Sequence, residues 1–329
     1  MNRHIWIIGF IVALSAGTAH AEDTLQLGGF ATASYSGNFD RRAAEFKLDQ
    51  AELDLSRDLS PQGSIRVDLE WVADGQDWVA AVEQGWLAYK PAFTSGLTLT
   101  GGRFNAPIGF ESLDQPDMFQ ITHGLLFTYC TPSNLTGAMA GLGLGHGLDA
   151  KAYAVNDWDL NSESNGSPTF GGRLGWAGHD KVAGGASWIT GMRDPGQRLR
   201  ESVLDVDLTV TPTARLVLGA ELNACRADLV GEDASWAGVM VMAHWKAHER
   251  LGLTGRYDLV DDSDDLLFGS GLEERRSSAT LATIVTLGPG MRFLGELRMD
   301  MSDHDVFTDQ DGEATSSTLG GAVNMTYVF

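Results

Sequence analysis

The sequence predicts an all-β protein, a sixteen-stranded antiparallel transmembrane β-barrel with short turns on one rim. Three observations predict it. Segments of about ten residues alternate apolar and polar side chains from residue 25 onward. Short and long connections take turns between these segments. The final segment alternates to its last residue, with Leu319, Gly321, Val323, Met325, Tyr327 and Phe329 opposing Thr318, Gly320, Ala322, Asn324 and Thr326.

The predicted strands are 25–36, 45–56, 64–72, 80–90, 97–104, 136–144, 148–156, 169–177, 181–191, 201–210, 214–225, 235–247, 251–260, 276–287, 291–300 and 316–329. The clearest alternation is Ile65, Val67, Leu69 and Trp71 against Arg66, Asp68 and Glu70. Gln50 breaks the pattern of the second strand, as a β-bulge would, and the strand carrying Val82–Lys90 hides its outer face. Even-numbered strands end in tight turns such as 145–147, 211–213 and 288–290. Odd-numbered strands end in longer acidic or Gly/Ser-rich loops, such as 157–168, 226–234, 261–275 and 301–315. Outer-face aromatics gather near strand ends, as two membrane-interface girdles require. Trp71, Trp188 and Tyr257 fall toward the long-loop rim, and Tyr89, Trp176, Trp245, Phe293 and Phe329 toward the other.

Residues 1–21 read as a cleaved secretory leader: Arg3 and His4 precede an apolar run, and Ala19-His20-Ala21 supplies a small-x-small cleavage site. That run is too short to cross a bilayer, which takes about 20 residues. The barrel domain is then 22–329. Losing Arg3 takes the net charge of −21 to −22, a balance that excludes nucleic acid as partner. The acidic loops either keep the protein soluble or meet divalent cations beside lipopolysaccharide. The two cysteines, Cys130 and Cys225, match no metal motif, and either pair or stay free.

About thirty residues separate Phe104 from Leu135, well beyond ordinary loop length. Ile108, Phe110, Leu113, Met118, Phe119, Ile121, Leu125, Leu126, Phe127 and Tyr129 make this segment too apolar for a solvated loop. The space for it is the lumen. The run Gly102-Arg103-Phe104-Asn105-Ala106-Pro107-Ile108-Gly109-Phe110-Glu111, followed by Pro116-Asp117-Met118-Phe119 and Asn134-Leu135-Thr136-Gly137, resembles the OmpL-like β-barrel porins and, more loosely, phosphate-selective-type porins. The terminal Tyr327 and Phe329 resemble the C-terminal signature that barrel-assembly machinery recognises in bacterial outer-membrane barrels. The resemblance implies a Gram-negative outer-membrane location, contact with lipid and lipopolysaccharide, a homotrimer by analogy, and residues 104–135 folded into the pore as a constriction.

With apolar residues on lipid, the alternate set faces water: Arg66, Asp68, Glu70, Arg173, Asp205, Asp207, Glu221, Asn223, Arg256, Asp258, Arg292, Glu296, Arg298 and Asp300. Five are basic and eight acidic, so a weak cation preference is expected. No dense Lys/Arg ladder accompanies them. At the constriction, Glu111, Asp114 and Asp117 either face Arg66, Arg103 or Arg173 to set up a transverse field, or cap turns around Pro107 and Pro116.

No phosphate loop, His-Glu-x-x-His helix or Gly-x-Ser-x-Gly elbow occurs. Asp261, Asp262, Asp264 and Asp265, and Asp303 through Glu313, are acidic without EF-hand spacing. His123 beside Thr122, or His244 with Ser235, form no recognisable catalytic constellation. No cofactor, metal or catalytic residue is expected. The reading is a passive pore for small hydrophilic solutes, with a non-conducting structural or adhesive barrel, or an outer-membrane hydrolase, as alternatives.

Overall fold

A computed structural model describes residues 24–74, 77–162, 166–194, 199–229 and 232–329. The leader expected over 1–21 lies outside these residues. The strands are β1 (Gln26–Asn38), β2 (Ala43–Ser60), β3 (Gly63–Asp74), β4 (Asp77–Tyr89), β5 (Leu97–Asn105), β6 (Asn134–Gly145), β7 (Leu148–Val155), β8 (Thr169–His179), β9 (Val182–Asp194), β10 (Leu199–Thr213), β11 (Leu216–Leu229), β12 (Glu232–His248), β13 (Leu251–Asp262), β14 (Glu274–Gly288), β15 (Met291–Ser302), β16 (Phe307–Thr308), β17 (Ala314–Thr315) and β18 (Ser317–Val328). All but β16 and β17 form one closed antiparallel barrel, each strand bonded to its neighbours along the chain. β1 pairs with β18, from Phe30 opposite Val328 to Asn38 opposite Gly320, so no strand edge is left open. The Phe329 amide extends this seam by donating to the Gly29 carbonyl at 3.0 Å.

Alternation places side chains as the sequence predicts. Leu204, Leu222 and Leu281 are 52, 56 and 68 % exposed on the outside, while Asp205, Glu221 and Asn223 are buried within. A wall exposing this much apolar surface suits lipid rather than water. All eight girdle aromatics named above lie exposed.

All sixteen barrel strands coincide with the predicted ones, with two local differences. The expected loop 226–234 is mostly ladder: Arg226 pairs with Ser235, Ala227 with Ala234, Asp228 with Asp233 and Leu229 with Glu232. Arg226 and Asp228 point outward, which a wall tolerates where it rises past the hydrocarbon layer. The loop 301–315 carries the small β16–β17 hairpin.

Two bulges explain the irregular strands. Thr32 faces Gln50 but Ala33 faces Leu48, so Asp49 is the extra residue in β2. Asp49 and Gln50 both turn inward: Ser34 Oγ donates to Asp49 at 2.8 Å, and Gln50 is buried. In β4, Asp68 of β3 faces Gln84 whereas Leu69 faces Val82, which makes Glu83 the extra residue. Glu83 and Gln84 are consequently both buried, with Val82 exposed.

Candidate pore constriction

The segment between β5 and β6 is fastened at its root. Ala106 N donates to Ser133 O at 2.9 Å, and Asp159 Oδ1 accepts the amides of Ser133 and Asn134 at 2.9 and 2.7 Å. Arg103, expected at the constriction, lies at this root. Its Nε donates to Glu83 O at 3.0 Å and its Nη2 to Asn134 Oδ1 at 3.2 Å.

Beyond the root the segment is tied to inward side chains of distant strands. Gly109 N and Phe110 N donate to Asp205 of β10 (3.3 Å) and Glu221 of β11 (3.1 Å). Gln115 N donates to Gln50 of β2 at 3.2 Å, and Asn324 of β18 donates to the Gln115 side chain at 3.1 Å. Arg292 of β15 donates to the carbonyls of Gln115 and Met118, closing the 3₁₀ turn Gln115–Asp117. Thr254 of β13 donates to Phe119 O at 2.9 Å. Glu296 of β15 accepts the amides of Ile121 and Thr122 at 2.6 and 3.1 Å, and the Thr122 hydroxyl at 2.6 Å. Arg298 donates to His123 O at 2.5 Å.

Glu111 is the hub of the segment. It sits 2.6 Å from Arg256 of β13 and accepts hydrogen bonds from Gln120 Nε2 and, at 2.6 Å, from Gly124 N. Both side chains of the ion pair are buried, and Arg256 also holds Asp258 at 2.9 Å and Thr122 O at 2.7 Å. Gly124 leaves no free room for a side chain: a Cβ there would overlap the Asp258 carboxylate and crowd Glu111 unless both shifted.

The way back is apolar. The π-helical turn Leu126–Cys130 packs Leu125, Leu126 and Cys130 against Val203, Cys225, Trp236, Met240 and Val260. This corrects the expectation that every inward face meets water, because the loop covers an apolar patch of inner wall. Cys130 and Cys225 are free and buried within it, and burial raises the Cys130 thiol.

The charged side chains on the inner face of the barrel divide by what they contact. Asp205, Glu221, Arg256, Arg292, Glu296 and Arg298 hold the loop. Arg66 pairs with Asp68 at 2.7 Å, Arg173 with Asp207 at 2.5 Å and Arg298 also with Asp300 at 2.8 Å, while Glu70 is half-buried on β3. Among the described residues no ion pair joins Glu111, Asp114 or Asp117 to Arg66, Arg103 or Arg173. Glu111 is instead neutralised by Arg256. A cavity of about 300 Å³ nevertheless lies between loop and wall, lined by Lys151 and Arg173 on one side and by Glu111, Ser112 and Phe127 on the other. Asp114 precedes the 3₁₀ turn but makes no side-chain cap. Burial and the nearby carboxylates of Glu83 and Asp117 push it up to about 7.

Sequence reasoning missed, among others, Asp49, Glu52, Asp54, Glu83, Lys151 and Thr254. Of these Asp49, Glu52, Asp54 and Glu83 lie on the bulged strands β2 and β4, where alternation alone misassigns the face. The histidine pairings do not form either. Thr122 gives its hydroxyl to Glu296, and burial lowers His123, which stacks on Phe127. Ser235 bonds Asp264, whereas His244 bonds Thr254 and stacks on Phe119. The acidic loops are capped from within: Asp262 accepts the amides of Leu266, Leu267 and Phe268, and Asp309 those of Asp311 and Glu313.

The family model described as "Putative beta-barrel porin-2, OmpL-like" matches residues 24–329. The chain belongs to the OmpL-like β-barrel porin family. No curated protein matches its sequence. Solved structures similar to this OmpL-like porin include the anion-selective porin from Comamonas acidovorans, at TM-score 0.69 and 14 % identity, covering 94 % of this chain and 100 % of that one. The outer-membrane channel DcaP of Acinetobacter baumannii aligns at 0.68 and 11 % identity, with 96 and 100 % of the chains covered. OmpT of Vibrio cholerae in its trimer form aligns at 0.64 and 10 %, covering 94 and 100 %. At these identities the likeness is one of barrel fold.

Gly219 of this porin shows how closely the loop is seated, for a Cβ there would overlap the Phe110 ring. Gly219→Val should destabilise the docked loop by about 1–3 kcal/mol, the usual cost of overpacking. Limited proteolysis of the folded barrel should then cut within residues 109–124 faster than in wild type. Equal cleavage rates would show that Phe110 is not an anchor.

Proposed function

We propose that the protein is a passive diffusion channel for small hydrophilic solutes in a Gram-negative outer membrane. One observation carries this reading: the loop between β5 and β6 is held across the lumen by inward side chains of β2, β10, β11, β13, β15 and β18. A sixteen-stranded barrel encloses an aqueous lumen, and such a loop narrows it to a sieve. Transport then needs neither chemistry nor a catalytic residue. The assignment further implies removal of the leader 1–21, recognition of Tyr327 and Phe329 by the barrel-assembly machinery, contact with lipopolysaccharide, and a homotrimer like the trimer form of Vibrio cholerae OmpT.

The inward set keeps its acidic excess, which supports a weak cation preference. Lys151 and Arg173 beside the 300 Å³ cavity favour the second reading, a preference for anions. Planar-bilayer recording of the refolded protein decides both points. Stepwise conductance is expected, and its absence would leave a structural barrel. In a KCl gradient the reversal potential should show a weak cation bias, and a potential of opposite sign would establish the anion reading.

A further inference from the structure

An acidic cluster on the wall of β2–β4 lies apart from the anchors of the loop. Strand pairing sets Asp54 opposite Asp68 and Asp68 opposite Gln84, with Glu52 two residues before Asp54 on the same inner face. The bulge in β4 adds Glu83, and the loop brings Asp114 against them. Ligand oxygens of Glu52, Asp54 and Asp68 all lie within 4.8 Å of one another, and so do those of Glu52, Glu83 and Asp114. Glu52 belongs to both triplets.

The local counter-charge goes mostly to Asp68, although the Arg103 guanidinium acts on Glu83 from beyond ion-pair distance. Arg66 Nε is 2.7 Å from Asp68, its Nη2 is 3.8 Å from Asp54, and Gln84 donates a further hydrogen bond to Asp68 at 2.6 Å. Glu52 and Glu83 are only 3 and 4 % exposed, yet both oxygens of each lack a hydrogen-bond donor. Asp54 Oδ1 and Asp114 Oδ1 are buried without one as well. The Asn105 amide approaches Glu83, and the Glu52 carboxyl approaches those of Asp54 and Glu83, none at hydrogen-bonding geometry. Buried carboxylates require donors, counter-charges or a metal.

We propose that this cluster binds one hard divalent cation, Ca²⁺ in preference to Mg²⁺, and that the ion clamps the constriction loop through Asp114 to Glu52 and Glu83 on the wall. The donors are all carboxylate oxygens, the ligand class of Ca²⁺ and Mg²⁺ rather than Zn²⁺. Oxygens on one Ca²⁺ at 2.3–2.6 Å lie at most about 5 Å apart, as both triplets do. Ca²⁺ also accepts irregular ligand sets of six to eight oxygens, whereas Mg²⁺ demands a small regular octahedron. Ligands drawn from two strands and a loop suit the larger ion.

The test is calorimetric titration of the refolded, EDTA-treated barrel with CaCl₂. Saturable binding of one Ca²⁺ per chain is expected, with a dissociation constant on the order of 10⁻⁴–10⁻³ M, and roughly tenfold weaker binding of Mg²⁺. The double variant Glu52→Gln/Glu83→Gln should abolish it. Asp114→Asn, which alters no strand, should weaken it at least about tenfold and serves if the double variant does not refold. Asp309→Asn/Glu313→Gln on the external hairpin should leave the isotherm unchanged. No saturable heat up to about 10 mM CaCl₂ would mean carboxyls that share protons only, and would overturn the site. An isotherm unaffected by both wall and loop variants, or one lost with the external hairpin variant, would overturn it too. Because the assay reads binding and not current, its failure is distinct from failure of the diffusion reading.

Discussion

Glu111→Ala should raise single-channel conductance and open-channel noise while leaving the barrel folded. The Glu111–Arg256 pair is dry, with side-chain exposures of 3 and 0 %. Removing one partner of such a pair leaves an uncompensated buried charge and typically costs about 3–5 kcal/mol. Asp258, 2.9 Å from Arg256, remains to hold the guanidinium, so the low end of that range applies. The alanine also orphans Gly124 N and the Gln120 amide. Those losses fall on the loop, whereas the Arg256 strand keeps its ladder to β12 and β14. Heat-modifiable migration on gels should therefore match wild type, while protease access to residues 109–124 rises. Glu111→Gln, which keeps an acceptor for Gly124 but not the charge, should fall between. Unchanged conductance together with unchanged proteolysis would remove Glu111 from the loop's support.

The barrel was legible because a period of two extends over whole strands and each tight turn resets it. Even the loop's burial followed from its composition, since Phe110, Leu125 and Leu126 have no other place to go. The site was legible only as a list of inward charges. What those charges bind depends on which strand meets which part of the loop, and contacts such as Glu296 with Ile121, 175 residues apart, leave no local pattern. The bulges hid more. A single extra residue reverses the facing of everything beyond it, so Glu83 read as ambiguous although it sits in the most crowded carboxylate cluster described. The loop 226–234 failed for the opposite reason. Charges at Arg226 and Asp228 resemble a loop, yet a strand that outreaches the membrane carries them without penalty.

The wall's charge thus serves two purposes that sequence alone merges. Asp205, Glu221 and Glu296 accept loop amides, and Arg292 and Arg298 donate to loop carbonyls, so these residues act as a scaffold first. Anchoring leaves their net charge in place but removes their mobility. In the proposed pore, ion preference falls to inward groups that do not anchor the loop, among them Lys151 and Arg173 at the 300 Å³ cavity.

Excising residues 109–124 and bridging the gap with a short Gly-Ser linker should separate scaffold from pore. Residues 125–133 are kept because Leu125, Leu126 and Cys130 cover Val203, Trp236 and Met240, and baring that patch would invite aggregation rather than conduction. Without the crossing segment, Asp205, Glu221, Asp258 and Glu296 lose their loop neighbours, as do Arg256, Arg292 and Arg298. Four carboxylates and three guanidiniums become hydrated, so the freed wall is acidic on balance. Conductance should rise roughly several-fold, since an unobstructed sixteen-stranded barrel encloses an open aqueous channel. Cation preference should weaken with it, because the excision also removes Glu111, Asp114 and Asp117 from a channel that is now wider. The pairing of outcomes matters more than either size. If wild type and deletion both conduct, the loop is a sieve. If only the deletion conducts, the loop is a plug, and the barrel's role in diffusion gives way to a closed structural one held shut by the Glu111–Arg256 hub.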